Sequence, residues 1–188
     1  MKRILQMSGI FLDRDGVIIR KAADGEYITS AEEMEFLPGS AKAIADLSRS
    51  GFKVIVVTNQ RGVATGKIEL LDLEHMHCKL KEIVANLGGN VCDIFYCPHD
   101  LSEGCTCRKP NTGMLVQAAK MHDLLLSECW MVGDAATDIT AGKRAGCKTA
   151  LITQSGEFLS CVDQPDIWAE SLASFAAQIL CSASPGKV

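Results

Sequence analysis

The chain has 188 residues, 47% of them apolar and 22% charged, with 19 basic against 23 acidic side chains and a net charge of -4. That length supports one domain with its own core, burying roughly 70% of the surface its unfolded form would expose, and the composition excludes a disordered or fibrous chain. No Lys/Arg run is present to displace counterions from a polynucleotide, and no stretch approaches the ~18 apolar residues of a membrane helix, so neither nucleic acid nor membrane is an expected partner.

Residues 1–12 begin with Lys2 and Arg3, are interrupted by Gln6 and Ser8, and lack a small-residue cleavage pattern, so they read as mature chain rather than a leader. Residues 10–12 form a short apolar run that stops at Asp13-Arg14-Asp15-Gly16, the pattern of a buried strand ending at a polar edge. Pro38-Gly39 opens a helix with Ala41, Ile44, Ala45 and Leu47 on one face, and Gly51 ends it. Residues 53–57 are β-branched and almost wholly apolar, as in a strand covered on both faces, and stop at Thr58-Asn59-Gln60. A long helix over 69–87 closes at Gly88-Gly89; a strand over 91–96, a helix over 112–121 capped by Thr112, and a strand over 129–132 closed by Gly133-Asp134 follow. A helix over 135–145 ended by Gly146, a strand over 148–152, a helix over 171–180 and a loose tail over 182–188 complete the chain. Strand and helix alternate throughout. The expected fold is therefore α/β: a doubly wound, Rossmann-like parallel sheet flanked by helices, one domain over 1–188, with ligands outside the carboxyl ends of the strands.

Those strand ends present Asp13 and Asp15, then Thr58 and Asn59, then Asp134, while Lys109 lies in the loop entering a helix. Phosphate monoester hydrolysis needs acceleration of up to ~10²¹-fold, so several effects must converge. A carboxylate attacks phosphorus only if the charge between it and the dianion is neutralised, which calls for a divalent cation and a lysine. Asp13, Asp134 and Lys109 meet that demand. Asp15, two residues beyond Asp13, suits a group that first protonates the leaving oxygen and then deprotonates water. Thr58 and nearby amides suit phosphoryl oxygens, and hard oxygen ligands favour magnesium. Singly, each piece equally suits a turn or a helix cap; their joint placement at the carboxyl ends of strands favours the chemistry.

Asp13-x-Asp15-Gly16, Thr58-Asn59-Gln60, Arg108-Lys109-Pro110 and Gly133-Asp134-x-x-x-Asp138 resemble, in order and spacing, the four motifs of the haloacid dehalogenase phosphatase superfamily. The resemblance implies that Asp13 is the nucleophile, Asp15 the general acid/base, and Thr58 and Lys109 phosphoryl stabilisers. It also implies Asp13, the Asp15 backbone carbonyl and Asp134 as magnesium ligands. Asp138 suits a carboxylate behind the metal ligands and a plain salt bridge or cap equally well.

Nine cysteines is an odd and high number, and Cys97, Cys105 and Cys107 crowd around His99. Three thiols and an imidazole on one excursion, 97–107, form a complete tetrahedral set for a structural zinc in a reducing, cytoplasmic setting, which would fix the loop delivering Arg108 and Lys109. Cysteines 78, 92, 129, 147, 161 and 181 fall mostly in apolar patterns and are expected in the core. Gly62 to Ile68 resembles a Walker loop only loosely, with Ile68 in place of the hydroxyl. His75 and His77 lie on different helix faces and are expected at the surface.

The zinc loop, the run from Asn59 through Gln60-Arg61-Gly62-Val63-Ala64, and Arg108-Lys109-Pro110-x-x-Gly113-Met114 resemble most the heptose 1,7-bisphosphate 7-phosphatases, over about residues 10–152. Ala135 and Thr65 depart from that family, where a lysine and an arginine are common. The resemblance implies a small phosphorylated sugar as substrate and a monomer as the acting unit. Histidinol-phosphate phosphatases share the zinc loop and are the alternative; polynucleotide 3′-phosphatases would want a basic groove, and a zinc-stabilised interaction module is the non-enzymatic alternative. The spacing between motifs leaves no room for a cap domain, so specificity falls to short loops. Asn59, Arg61 and Arg108 are candidate substrate contacts, and Tyr27 is expected to be a surface aromatic, the alternative being that it closes one side of the site.

Overall fold

The computed structural model describes residues 8–153 and 163–183. Cys161 and residues 184–188 of the expected tail lie outside the described residues, as does the stretch 1–7. Six strands form one parallel sheet: β1 (Gly9–Leu12), β2 (Lys53–Asn59), β3 (Asp93–Cys97), β4 (Trp130–Gly133), β5 (Lys148–Ile152) and β6 (Ile167–Ala169), in the spatial order β3-β2-β1-β4-β5-β6. The order reverses at β1, between β2 and β4, and a crevice at the carboxyl ends follows from that reversal.

The helices are α1 (Ser40–Arg49), α2 (Leu70–Asn86), α3 (Gly113–Met121), α4 (Ala136–Ala145) and α5 (Leu172–Ala183). Strand side chains alternate between faces. Ile10, Leu12, Val54, Val56, Val132 and Ala150 therefore pack with Ile44 and Leu47 of α1 and Phe175 of α5. Phe11, Ile55, Val57 and Met131 face the other way, onto Leu115 and Ala118 of α3 and Ala141 of α4. Phe11, Ile10 and Leu12 are each fully buried, worth about 1.5–3 kcal/mol apiece in transfer free energy. A sheet sealed on both sides leaves only its strand ends to chemistry.

Five strands and five helices stand within a few residues of the sequence expectation. The sixth strand, Ile167–Ala169, was not expected: three residues beginning an edge carry too little alternation to register. The third strand starts at Asp93 rather than at 91. Thr112 precedes α3 but makes no side-chain cap hydrogen bond, so the capping assignment is corrected. Gly146 ends α4 at φ 83°, as its position implied. Helix α5 runs through Ser182 to Ala183, into the expected tail. Cys129 and Cys147 are buried and Cys92, half-buried, packs against the same core, whereas Cys78 and Cys181 are exposed, so the core assignment fails for those two. Cys78 on α2 and Cys181 on α5 sit at helix positions where periodicity, not apolarity, decides exposure. His77 is 8% exposed, not at the surface, and tilts over Tyr96 at a ring separation of 5.5 Å.

Candidate active site

Asp13 follows β1 directly, and its backbone N–H donates to Val132 O of β4 at 2.9 Å, so the loop leaves the sheet at the topological reversal. The side chain is 13% exposed and lies 2.9 Å from the Lys109 ammonium. Lys109 is 2% exposed, and its Nζ donates to Val57 O at 2.8 Å and meets the Asp138 carboxylate at 2.7 Å. Three oxygens hold the ammonium in one place. Burial alone would pull its proton affinity down, but the carboxylates of Asp13 and Asp138 outweigh it and hold Lys109 charged.

One carboxylate oxygen from each of Asp13, Asp134 and Asp138 lies within 4.8 Å of the other two. Burial, assisted by the charges of Asp138 and Asp15, raises Asp13 to about 6 against the pull of Lys109. Burial and Asp13 also raise Asp134. Carboxylates so crowded need a further positive charge. Lys21, from the segment after β1, reaches in to donate to Asp134 Oδ2 at 3.2 Å. Hard oxygen donors, unmet negative charge and a lysine standing where a cation is wanted fit a divalent ion such as magnesium. Asp138 is 1% exposed and makes both bonds of the salt-bridge or cap reading: Oδ2 accepts the Ala135 N–H at 3.1 Å while Oδ1 pairs with Lys109. Gly16 is required beside Asp134, since its φ is 89° and a Cβ there would collide with the Asp134 carboxylate.

Asp15 stands outside the acidic cluster but lines the same cavity. Arg14 donates to both its oxygens, from Nε at 3.1 Å and Nη2 at 3.0 Å, and Gln60 Nε2 donates to Oδ2 at 2.9 Å. The same Gln60 amide donates to Thr58 Oγ1 at 2.9 Å. Arg14 and Gln60 thus orient the second aspartate. Sequence reasoning passed over both, although each stands inside a motif: an arginine between two aspartates and a glutamine after Thr58-Asn59. Lys21 was missed as well, and no local pattern marks it.

The cavity over these groups is about 300 Å³ and is lined by Asp13, Asp15, Thr58, Asn59, Arg108, Lys109 and Asp134, with residues 21–28 along one rim. Tyr27 lines it and packs with Ile68, so it is a wall of the site and not a surface aromatic. Asn59 also lines it, but its amide is committed: Lys109 N–H donates to Oδ1 at 3.0 Å and Nδ2 donates to Lys109 O at 3.1 Å. Its role is to place the lysine. Arg61 turns outward to the Asp100 carboxylate and does not line the cavity, so it is not a substrate contact in this geometry. Arg108 lines the cavity with a buried Nη1 that has no hydrogen-bond partner, a polar atom whose desolvation a ligand acceptor would offset.

The excursion after β3 gathers Cys97, His99, Cys105 and Cys107, whose ligand atoms lie within 4.8 Å of one another. Cys97 Sγ stands 3.5 Å from both His99 Nδ1 and Cys105 Sγ, and His99 Nδ1 stands 3.2 Å from Cys107 Sγ. Burial pushes the Cys97 thiol up to about 12, while at Cys105 burial is outweighed by the combined hydrogen bonds of the Arg108 backbone N–H, the Cys107 and Cys97 thiols and the Cys107 backbone, which bring the thiol down to about 7. Three neighbouring thiols cannot all ionise without a cation, so the donor set suits a soft tetrahedral metal such as zinc. The loop is tied inward as well: Gln60 N–H donates to Cys97 O at 2.8 Å and Ala64 N–H to Pro98 O at 3.1 Å. The Lys109–Pro110 peptide, just beyond, is cis.

Comparison with known proteins bears on both features. The model of the HAD-hydrolase-like family matches residues 106–174. D-glycero-beta-D-manno-heptose-1,7-bisphosphate 7-phosphatase of Pseudomonas aeruginosa is 44% identical over 148 residues, covering 79% of this chain and 82% of that protein. The protein of the same name from Pseudomonas putida is 45% identical, over 80% of this chain and 86% of its own length. Among solved structures, the D,D-heptose 1,7-bisphosphate phosphatase from B. bronchiseptica complexed with magnesium and phosphate superposes with a TM-score of 0.84 at 35% identity, covering 94% of this chain and 100% of that one.

Proposed function

The chain belongs to the D-glycero-beta-D-manno-heptose-1,7-bisphosphate 7-phosphatase family of HAD-like hydrolases, and we propose that it is a magnesium-dependent phosphomonoesterase removing the 7-phosphate of D-glycero-D-manno-heptose 1,7-bisphosphate. The observation that carries the reading is the meeting of Asp13, Asp134 and Lys109 in one cavity at the sheet's reversal. The names of the relatives favour the heptose over histidinol phosphate, and family membership argues against a zinc-stabilised interaction module without activity.

The reaction divides into two displacements at phosphorus. In the first, a carboxylate oxygen of Asp13 forms a bond to phosphorus, the bond from phosphorus to the sugar oxygen breaks, and Asp15 gives its proton to that departing oxygen. In the second, water attacks the aspartyl-phosphate, Asp15 takes its proton, and inorganic phosphate leaves with Asp13 restored. Lys109 and the Thr58 hydroxyl face the phosphoryl oxygens, where charge accumulates. Asp13, Asp134 and the Asp15 backbone carbonyl would hold magnesium, which when bound supplies the charge that lets an anionic nucleophile approach a dianion. Asp138 fixes Lys109 from behind. Arg14 and Gln60 aim Asp15, and Arg108 is the substrate contact.

We assign zinc to the Cys97, His99, Cys105 and Cys107 tetrad, with a structural role, because four protein ligands leave no open position. The thiols must stay reduced for this, as they would in the cytoplasm. The same reading takes residues 1–188 as one phosphatase domain acting as a monomer on a small phosphorylated sugar, without nucleic acid or membrane; every described strand joins one sheet, and no described helix is long and apolar enough to cross a bilayer. The test is steady-state kinetics with magnesium on both anomers of the heptose bisphosphate and on histidinol phosphate. A kcat/KM at least ~100-fold higher for one heptose anomer is expected; a preference for histidinol phosphate would overturn the assignment.

A further inference from the structure

Four cations line the active-site cavity, and they differ in how far the protein commits them. Arg14 is bound to Asp15 through two nitrogens. Lys109 is 2% exposed and held by Val57 O, Asp13 and Asp138. Arg108 has a buried Nη1 awaiting an acceptor. Lys21 is of another kind: its side chain is 59% exposed, it sits on a segment without regular structure, and among the described residues its ammonium pairs with Asp134 alone.

Its partner is the difficulty. Asp134 is the carboxylate that a divalent ion shared with Asp13 would also require, and a lysine and that ion on one carboxylate repel each other. Lys109 cannot yield, because three oxygens fix it in the interior. Lys21 can, because its stem is solvated and its ammonium has one protein partner. Once displaced it remains on the cavity rim, within a flexible four-carbon stem's reach of whatever fills the cavity.

We infer that Lys21 is an exchangeable counter-ion, which occupies Asp134 when the metal is absent and, when the metal takes that carboxylate, turns to the anionic group of the substrate that does not react. This rests on the bisphosphate reading of the site and adds to it a residue that selects substrates with a second phosphate. The two lysines thereby divide the work. Lys109 is fixed on the phosphate being transferred and Lys21 moves to the remote one.

Two measurements on Lys21→Met and Lys21→Arg test this. The first needs no turnover: magnesium titrated calorimetrically into the magnesium-free, zinc-loaded protein at pH 7.5. Removing the competing charge in Lys21→Met should tighten magnesium binding at least threefold, with Lys21→Arg close to the parent. The second compares kcat/KM for the heptose bisphosphate with that for p-nitrophenyl phosphate, which has no second anion. The ratio should fall at least tenfold in Lys21→Met and recover in Lys21→Arg. Magnesium affinity unchanged or weakened in Lys21→Met, or an unchanged ratio, overturns the inference. Should the parent protein fail to hydrolyse the bisphosphate, the substrate assignment falls, and the magnesium titration still decides whether Lys21 contests Asp134.

Discussion

Asn59 and Lys109 hold each other through two hydrogen bonds, N–H of Lys109 to Oδ1 at 3.0 Å and Nδ2 to O of Lys109 at 3.1 Å, across 50 residues of chain. A side chain at the end of β2 thus clamps the main chain of the loop that carries the interior ammonium. Asn59→Leu should leave the sheet intact, cost about 1–3 kcal/mol from the unpaired Lys109 peptide, and lower kcat roughly 10- to 100-fold because the ammonium shifts from phosphorus-facing oxygens. Urea unfolding with single-turnover kinetics checks both parts. Loss of stability without loss of rate would mean that the clamp does not set the lysine.

Asp13 is raised to about 6 by burial and by Asp138 and Asp15. A carboxyl whose folded value exceeds its unfolded one binds its proton more tightly when folded, so without magnesium Asp13 contributes stability that is fully present below its unfolded value and is lost as pH rises to about 6. Magnesium needs the ionised form. Its apparent affinity should therefore fall about tenfold per pH unit below pH 6, and Asp13→Asn should abolish magnesium-linked stabilisation while lowering kcat ~10³-fold or more. Thermal melts across pH 5 to 8, with and without magnesium, read the sign directly.

Cys107 stands two residues before Lys109, and Gly113 N–H donates to Thr106 O at 3.1 Å, so the tetrad and the start of α3 brace the same short segment. Metal analysis should find one zinc per chain. Cys107→Ser should lose it, lower the melting temperature, and lower kcat/KM roughly tenfold or more through the loosened Arg108-Lys109 pair. A variant that sheds zinc yet keeps full activity would separate the loop from the chemistry.

His77 is brought down to about 3, first by burial and then by the Arg14 charge. A histidine held neutral in the fold contributes stability that is present above its unfolded value near 6.5 and lost as pH falls below it. Between pH 6.5 and 4.5 that loss amounts to about 2–3 kcal/mol. His77→Phe should flatten this part of the stability profile, measured by urea unfolding at pH 7.5 and 4.5.

Much of this was legible beforehand, for definite reasons. Buried parallel strands such as Val54 to Val57 are apolar on both faces, and their polar termini, Asp13, Thr58 and Asp134, stand out against that background. The tetrad was legible because four metal-binding residue types close together have few other uses. Lys21, Tyr27 and the exposure of Arg61 were not, because they depend on how a loop of irregular structure lies over the sheet, and no period encodes that. His77 misled for a related reason. Its spacing from His75 decides only which helix face each occupies, whereas its burial comes with Tyr96 of β3, packed against it from another element.

All the reactive groups gather at the end where the strands finish, which leaves the opposite rim, with the turns entering β2 and β5, chemically silent. The seven residues of β2, Lys53–Asn59, which begin just after Gly51-Phe52, span about 20 Å at the rise of an extended strand. A fluorophore, affinity handle or fused partner attached at that far margin would report on the molecule without touching its turnover, provided Gly51, with φ 97°, is left in place.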